Sequence, residues 1–157
     1  MLSVACIPAF NAENQISDVI KKSLNYVDKV LVCDDGSTDN TFENAKLTGA
    51  YVLKHEKNLG KGAALKTLFG KAKELNADVI ITIDADGQFL PVEMVRLIEP
   101  IQNNNFDLVI GNRFLDKKEM PSYRKAGNKI LDSFTKLAAD LPFDDTQSGF
   151  RSYSKTA

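Results

Sequence analysis

Residues 62–88 read GAALKTLFGKAKELNADVIITIDADGQ, and they hold a helix, a strand and a polar turn in immediate succession. Ala64, Leu65, Leu68, Ala72 and Leu75 recur at helical spacing, which predicts a helix over 62–76 with one apolar stripe. The following DVIITI (78–83) is β-branched and apolar on both faces, the mark of a strand covered on both sides. The unit repeats outward in both directions. LSVACI (2–7), KVLVCDD (29–35), AYVLKH (50–55) and DLVIG (107–111) read as further strands. Between them lie a helix over 13–24, with Ile16, Val19, Ile20 and Leu24 on one face and Asn11 as its cap, and a short helix after Asp39 that Gly49 ends. Pro91 suits the first turn of a helix over 91–102. Strands and helices in alternation predict an α/β fold: a three-layer α/β/α sandwich with a mostly parallel central sheet.

After Gly111 the alternation stops. Residues 112–128 are polar and carry Arg113, Lys117, Lys118, Arg124 and Lys125, and Ile130, Leu131, Phe134, Leu137 and Ala138 then suggest one more helix. The chain closes on DDTQSGFRSYSKTA (144–157), where a new element begins, so residues 1–157 are expected to be a single domain cut short at its C-terminus. A length of 157 residues at 43% hydrophobic content suffices for one buried core. Twenty basic against 21 acidic residues leave a net charge of −1, which argues against a nucleic-acid partner. With no apolar run of 18 residues and no signal peptide, a cytoplasmic location is expected. Cys6 and Cys33 lie in separate strands without a neighbouring ligand and are expected to be buried free thiols.

In open α/β sheets ligands bind beyond the carboxyl ends of the strands, and here those ends are polar. Asp84 and Asp86, spaced i and i+2 as a strand ends, can project to one side past the small Ala85. Carboxylates held so close need a cation between them, and a hard divalent ion, Mg²⁺ or Mn²⁺, suits a site of two carboxylates completed by phosphate oxygens and water. In the Gly- and Ser-containing turn CDDGSTDNT (33–41), Asp34 or Asp35 can accept hydrogen bonds from a ribose or a base edge. NLGKGAALKT (58–67) lacks phosphate-loop spacing, and no G-x-G-x-x-G occurs, although Lys61 with Gly60 and Gly62 can approach a nucleotide. Arg113, Arg124 and Lys125 form a basic cluster suited to phosphate. His55, without a nucleophile beside it, reads as structural.

Taken in order, IPAFNAE, VCDDGSTDNT, NLGKGAAL, DADGQFLP, GNRF and DTQSGFR, spread from residue 7 to residue 151, resemble the inverting glycosyltransferases of family 2 with the nucleotide-diphospho-sugar (A-type) fold. The nearest likeness is to the polyprenyl-phosphate branch, the dolichyl-phosphate mannose synthase type. The resemblance implies nucleotide contacts at Pro8, Phe10, Asn11, Glu13, Asp35, Gly36, Lys61 and Asp84, with Glu13 one position later than in some lipid-phosphate synthases. It implies a Mn²⁺ or Mg²⁺ site at Asp84, Asp86 and Gln88, acceptor-phosphate contacts at Arg113, Arg124 and Asn128, and catalytic roles for Asp84, Asp86, Arg113 and Asp145. The expected reaction moves a sugar, with inversion, from a GDP-mannose or UDP-glucose type donor to a dolichyl or undecaprenyl phosphate, with contact at the inner face of the cell membrane. Two alternatives stay open: transfer to a sugar hydroxyl in surface polysaccharide synthesis, where Asp144 or Asp145 would be the general base, and a nucleotide-binding module without turnover. A nucleotidyltransferase is disfavoured because PAFNAENQ (8–15) has no Gly, Arg or Lys. The sequence leaves the oligomeric state open.

Overall fold

The computed structural model describes residues 1–104, 106–111 and 148–157. Its elements run β1 (Ser3–Ala9), α1 (Ile16–Ser23), β2 (Lys29–Asp34), α2 (Thr41–Lys46), β3 (Tyr51–Lys54), α3 (Lys61–Glu74), β4 (Val79–Thr82), α4 (Met94–Asn104), β5 (Leu108–Ile110) and β6 (Arg151–Ser154), with a 3-10 turn at Pro91–Glu93 leading into α4. The sheet order is β3-β2-β1-β4-β6-β5. The first four strands are parallel, and β6 runs antiparallel between β4 and β5. The parallel sandwich is thus as expected, with one addition: residues 151–154 form a strand between β4 and β5. The expected helix around Ile130–Ala138 lies outside the described residues.

Strand pleating divides the core between the two faces. Ala5, Ile7, Val30, Val32, Val79 and Ile81 face α1, α2 and α4, while Val4, Cys6, Leu31 and Cys33 pack against Ala64, Leu68 and Ala72 of α3. Both cysteines are free and buried, and burial pushes each thiol up to about 12, helped at Cys33 by the charges of Asp35 and Asp34. Among the described residues no helix is long and apolar enough to cross a membrane.

Two local departures shape the rim. The first helix starts at Ile16 rather than at 13, and Asn11 does not cap it. With its backbone in the left-handed region (φ 50°), Asn11 instead accepts a hydrogen bond from Thr38 N at 2.9 Å, tying the loop after β1 to the loop after β2. Asp39 does serve the start of α2, accepting from Thr41 N at 3.0 Å. The second departure is at Pro8, which continues β1 rather than ending it. Odd residues of β1 turn their amides toward β2, as in Asp35 N to Ala9 O, so Pro8 turns its nitrogen toward β4. The β1–β4 ladder ends at Cys6 and Thr82, so the missing N–H falls one rung beyond it, where a proline does no damage.

Candidate functional site

The chain winds from β1 to β2 and β3 on one side, then α3 carries it back across the sheet to β4 on the other. The strand order therefore reverses between β1 and β4, and a crevice is expected at their carboxyl ends. A cleft of about 470 Å³ lies there, lined by residues from the ends of β1, β2 and β4 and from the start of α3. Pro8, Phe10 and Asn11 form one wall, Asp35, Asn58, Gly60 and Lys61 a second, and Asp84, Ala85 and Asp86 close it.

Asp35 is the most tightly held of these side chains. It is 3% exposed, and Oδ1 accepts from His55 Nδ1 at 2.6 Å and Leu59 N at 3.0 Å, while Oδ2 accepts from Gly60 N at 2.8 Å. Burial alone would raise its pKa, but these hydrogen bonds to the ionised form outweigh it and hold the carboxyl below the ordinary range. His55 is thereby given a task as well as a place in the packing. Its other ring nitrogen meets Thr67 Oγ1 at 3.0 Å, so the ring is fixed from both sides and in turn fixes Asp35. The neighbouring Asp34 is fully buried, takes Ser37 N at 3.2 Å, and is not a cleft residue.

At the far end, Asp84 is partly buried and pairs with Lys61 Nζ at 2.6 Å, whereas Asp86 is exposed and accepts from Gln88 N at 3.0 Å. Gln88 thus holds Asp86 through its backbone and does not itself line the cleft. The carboxylate of Asp84 lies directly against Gly149. A Cβ there would collide with both carboxylate oxygens, so a larger residue at 149 requires the Asp84 side chain or the turn to shift. Thr82 Oγ1 donates to Gly149 O at 2.8 Å, and Phe150 stacks on Phe89 with centroids 4.9 Å apart, so the C-terminal GF pair is clamped onto the DAD turn from both ends. Two hard oxygen donors at the mouth of a phosphate-sized cleft fit a divalent cation that keeps the rest of its shell for water and phosphate.

Two further expected contacts have other employment. Glu13 is not a cleft residue: Oε2 accepts from Asn40 N at 3.1 Å and from Asn40 Nδ2 at 3.2 Å, bracing the two loops. Gly36 also stands outside the cleft lining, and a Cβ on it would meet the backbone of Lys57 and Asn58 below 3.0 Å; it is needed for close packing of the loops after β2 and β3. Arg113, Arg124, Asn128 and Asp145 lie outside the described residues. Residues that sequence reasoning passed over are Asn58 and Gln15, both on the cleft wall, and Gly149. Asn58 stood in a quoted motif, but nothing local marks an asparagine as facing a ligand.

Sheet order and rim together define a nucleotide-diphospho-sugar transferase fold. Glucosyl-3-phosphoglycerate synthase of Mycobacterium tuberculosis, solved with uridine diphosphate, superposes with a TM-score of 0.71 at 26% identity, covering 99% of this chain and 57% of that one. Its complex with Mn²⁺, UDP-glucose and phosphoglyceric acid shares the fold at a TM-score of 0.73 and 23% identity. The chain belongs to glycosyl transferase family 2, whose model matches residues 4–157. A UDP-N-acetylglucosamine–dolichyl-phosphate N-acetylglucosaminyltransferase of Methanococcus voltae is 37% identical over 96% of this chain and 68% of its own length. A dolichol-phosphate mannosyltransferase of Pyrococcus furiosus is 32% identical over 92% of this chain and 44% of its own. The chain thus spans about two thirds or less of these relatives.

Proposed function

We propose that this chain carries the donor site of an inverting glycosyltransferase that moves a sugar from a nucleotide-diphosphate sugar to a polyprenyl phosphate. The observation that carries the reading is the single cleft holding Asp35 at one end and Asp84 with Asp86 at the other. That span suits a nucleotide lying along the rim with its diphosphate at the DAD turn. Relatives whose names specify dolichyl phosphate support the acceptor class.

Asp84 and Asp86 would hold Mn²⁺ or Mg²⁺, which when bound supplies Lewis-acid neutralisation of the leaving diphosphate. Lys61 adds a positive charge at the same end and, when a diphosphate enters, can exchange Asp84 for a phosphate oxygen. Asp35, oriented by His55, anchors the nucleoside end and so fixes where the anomeric carbon sits. The acceptor phosphate oxygen attacks that carbon from the face opposite the diphosphate, whose bond to the sugar breaks, so the configuration inverts. A phosphate is already anionic near neutral pH, and no side chain has to remove a proton. The basic residues Arg113 and Arg124, with Asn128, are proposed to receive the acceptor phosphate, and Asp145 to complete the catalytic set. A lipid-phosphate acceptor places the reaction at a membrane surface.

The test is transfer of radiolabelled sugar from UDP- and GDP-sugars to a short polyprenyl phosphate with Mn²⁺. Label extracted into organic solvent and released by mild acid supports the reading. Label passing only to a saccharide hydroxyl would refute the acceptor class while leaving the donor site standing.

A further inference from the structure

The inner carboxylate of the DAD turn already has a cation on it. Asp84 Oδ1 meets Lys61 Nζ at 2.6 Å, and the same carboxylate is pressed against Gly149. A divalent ion approaching Asp84 therefore meets an ammonium group at contact distance and is repelled by it. Asp86 is exposed and already accepts from Gln88 N, so what is left for the ion is one solvated carboxylate. One such ligand does not retain a hard divalent ion unless phosphate oxygens join it.

The hold of Lys61 on Asp84 is built to be released. Lys61 is the first residue of α3, a helix of 14 residues with no acidic residue in its first turn and no side-chain cap. The positive end of the helix dipole disfavours an ammonium group there and favours an anion. The Lys61 side chain is 53% exposed and that of Asp84 26%, so the pair is weakened by solvent and the lysine stem is free to swing. Lys61 also lines the cleft, where a diphosphate with two or more negative charges is a stronger partner than one carboxylate.

We infer that Lys61 sets the order of binding: it holds the place of the ion on Asp84 until a nucleotide diphosphate draws it off. The ammonium group exchanges one anion for another, and Asp84 is freed for the ion at the moment the phosphate oxygens that complete its shell arrive. Without nucleotide, Asp84 stays neutralised and the free ion is not retained. By linkage, UDP then raises the affinity for Mn²⁺ by the same factor as Mn²⁺ raises that for UDP. The inference rests on the diphosphate site proposed at Asp84 and Asp86.

Titration with Mn²⁺ alone, followed by the electron paramagnetic resonance of the free aqua ion, tests it on wild type, Lys61→Met and Lys66→Met. Methionine keeps the apolar stem and removes the ammonium group, and Lys66, also on α3, serves as a control for charge. The expected result is Mn²⁺ binding about fivefold tighter or more in Lys61→Met than in wild type, with Lys66→Met unchanged. The readout is a gain of affinity, which a misfolded variant would not give. Equal Mn²⁺ affinity in Lys61→Met and wild type would overturn the inference, as would an equal gain in Lys66→Met. The same titration of wild type with UDP present keeps the two readings apart. Tighter Mn²⁺ binding with UDP, but no gain in Lys61→Met, would leave the donor site standing and remove Lys61 from the order of binding. No effect of UDP on Mn²⁺ binding would overturn both.

Discussion

A methyl group at Gly149 would occupy the space of the Asp84 carboxylate, 65 positions earlier in the chain, so the conformation of a proposed metal ligand depends on the absence of a side chain. Gly149→Ala must push Asp84 or the 148–150 turn aside, an overpacking cost of about 1–3 kcal/mol. Mn²⁺-dependent nucleotide affinity is expected to fall about tenfold or more, read by calorimetry; an unchanged affinity would remove Gly149 from the site. Asp35 yields a pH prediction. Its folded pKa is held below the ordinary value of about 3.9 to which it returns on unfolding, so around that pH the unfolded chain binds more protons. Its contribution to stability is complete above the unfolded value and disappears as pH falls through the folded one. Asp35→Asn should flatten the acid limb of a stability–pH profile from urea unfolding, and an identical limb would contradict this. The pair Asp84 and Asp86 was legible because i, i+2 spacing at a strand end is local information. The bracing of Asn40 by Glu13 and the contact of Gly149 with Asp84 were not, since each joins residues far apart in sequence.

At the level of elements, the loops after β1, β2 and β3 are locked together by a few contacts that involve little apolar surface. Asn11 bonds Thr38, Glu13 bonds Asn40, and Gly36 packs against the backbone of Lys57 and Asn58 with φ at +72°. A Cβ at Gly36 meets both backbone strain and a backbone collision, so Gly36→Ala is expected to destabilise by about 2–3 kcal/mol, measured by chemical denaturation. A change below about 0.5 kcal/mol would show that the loops yield and that the contact of Gly36 with Lys57 and Asn58 does not hold them together. The parallel strands were readable because β1, β2 and β4 are apolar on both faces. Strand β6 was not: RSYS is half serine, and its buried Ser152 is accommodated by donating to Leu97 O at 2.7 Å, a partner 55 residues away. The late start of α1 escaped for a similar reason, because the side chains expected to begin the helix bond to the neighbouring loop.

Across the whole molecule, the sheet order β3-β2-β1-β4-β6-β5 does the positioning. It puts the reversal of winding between β1 and β4, leaves Pro8 one rung beyond the β1–β4 ladder, and brings the GF pair before the C-terminal strand onto the DAD turn. A nearly neutral chain thereby concentrates charge locally, with Asp84, Asp86 and Lys61 at one end of the cleft and the hydrogen-bonded Asp35 at the other. The central claim is that the first of these ends takes a diphosphate together with a divalent ion. Calorimetry of UDP with Mn²⁺ and with EDTA, on wild type and on Asp86→Ala, tests it most directly. The account predicts Mn²⁺-dependent binding that weakens by about a hundredfold, roughly 2.7 kcal/mol, when either the ion or the Asp86 carboxylate is removed. Equal affinity with EDTA, or in a folded Asp86→Ala variant, would contradict it.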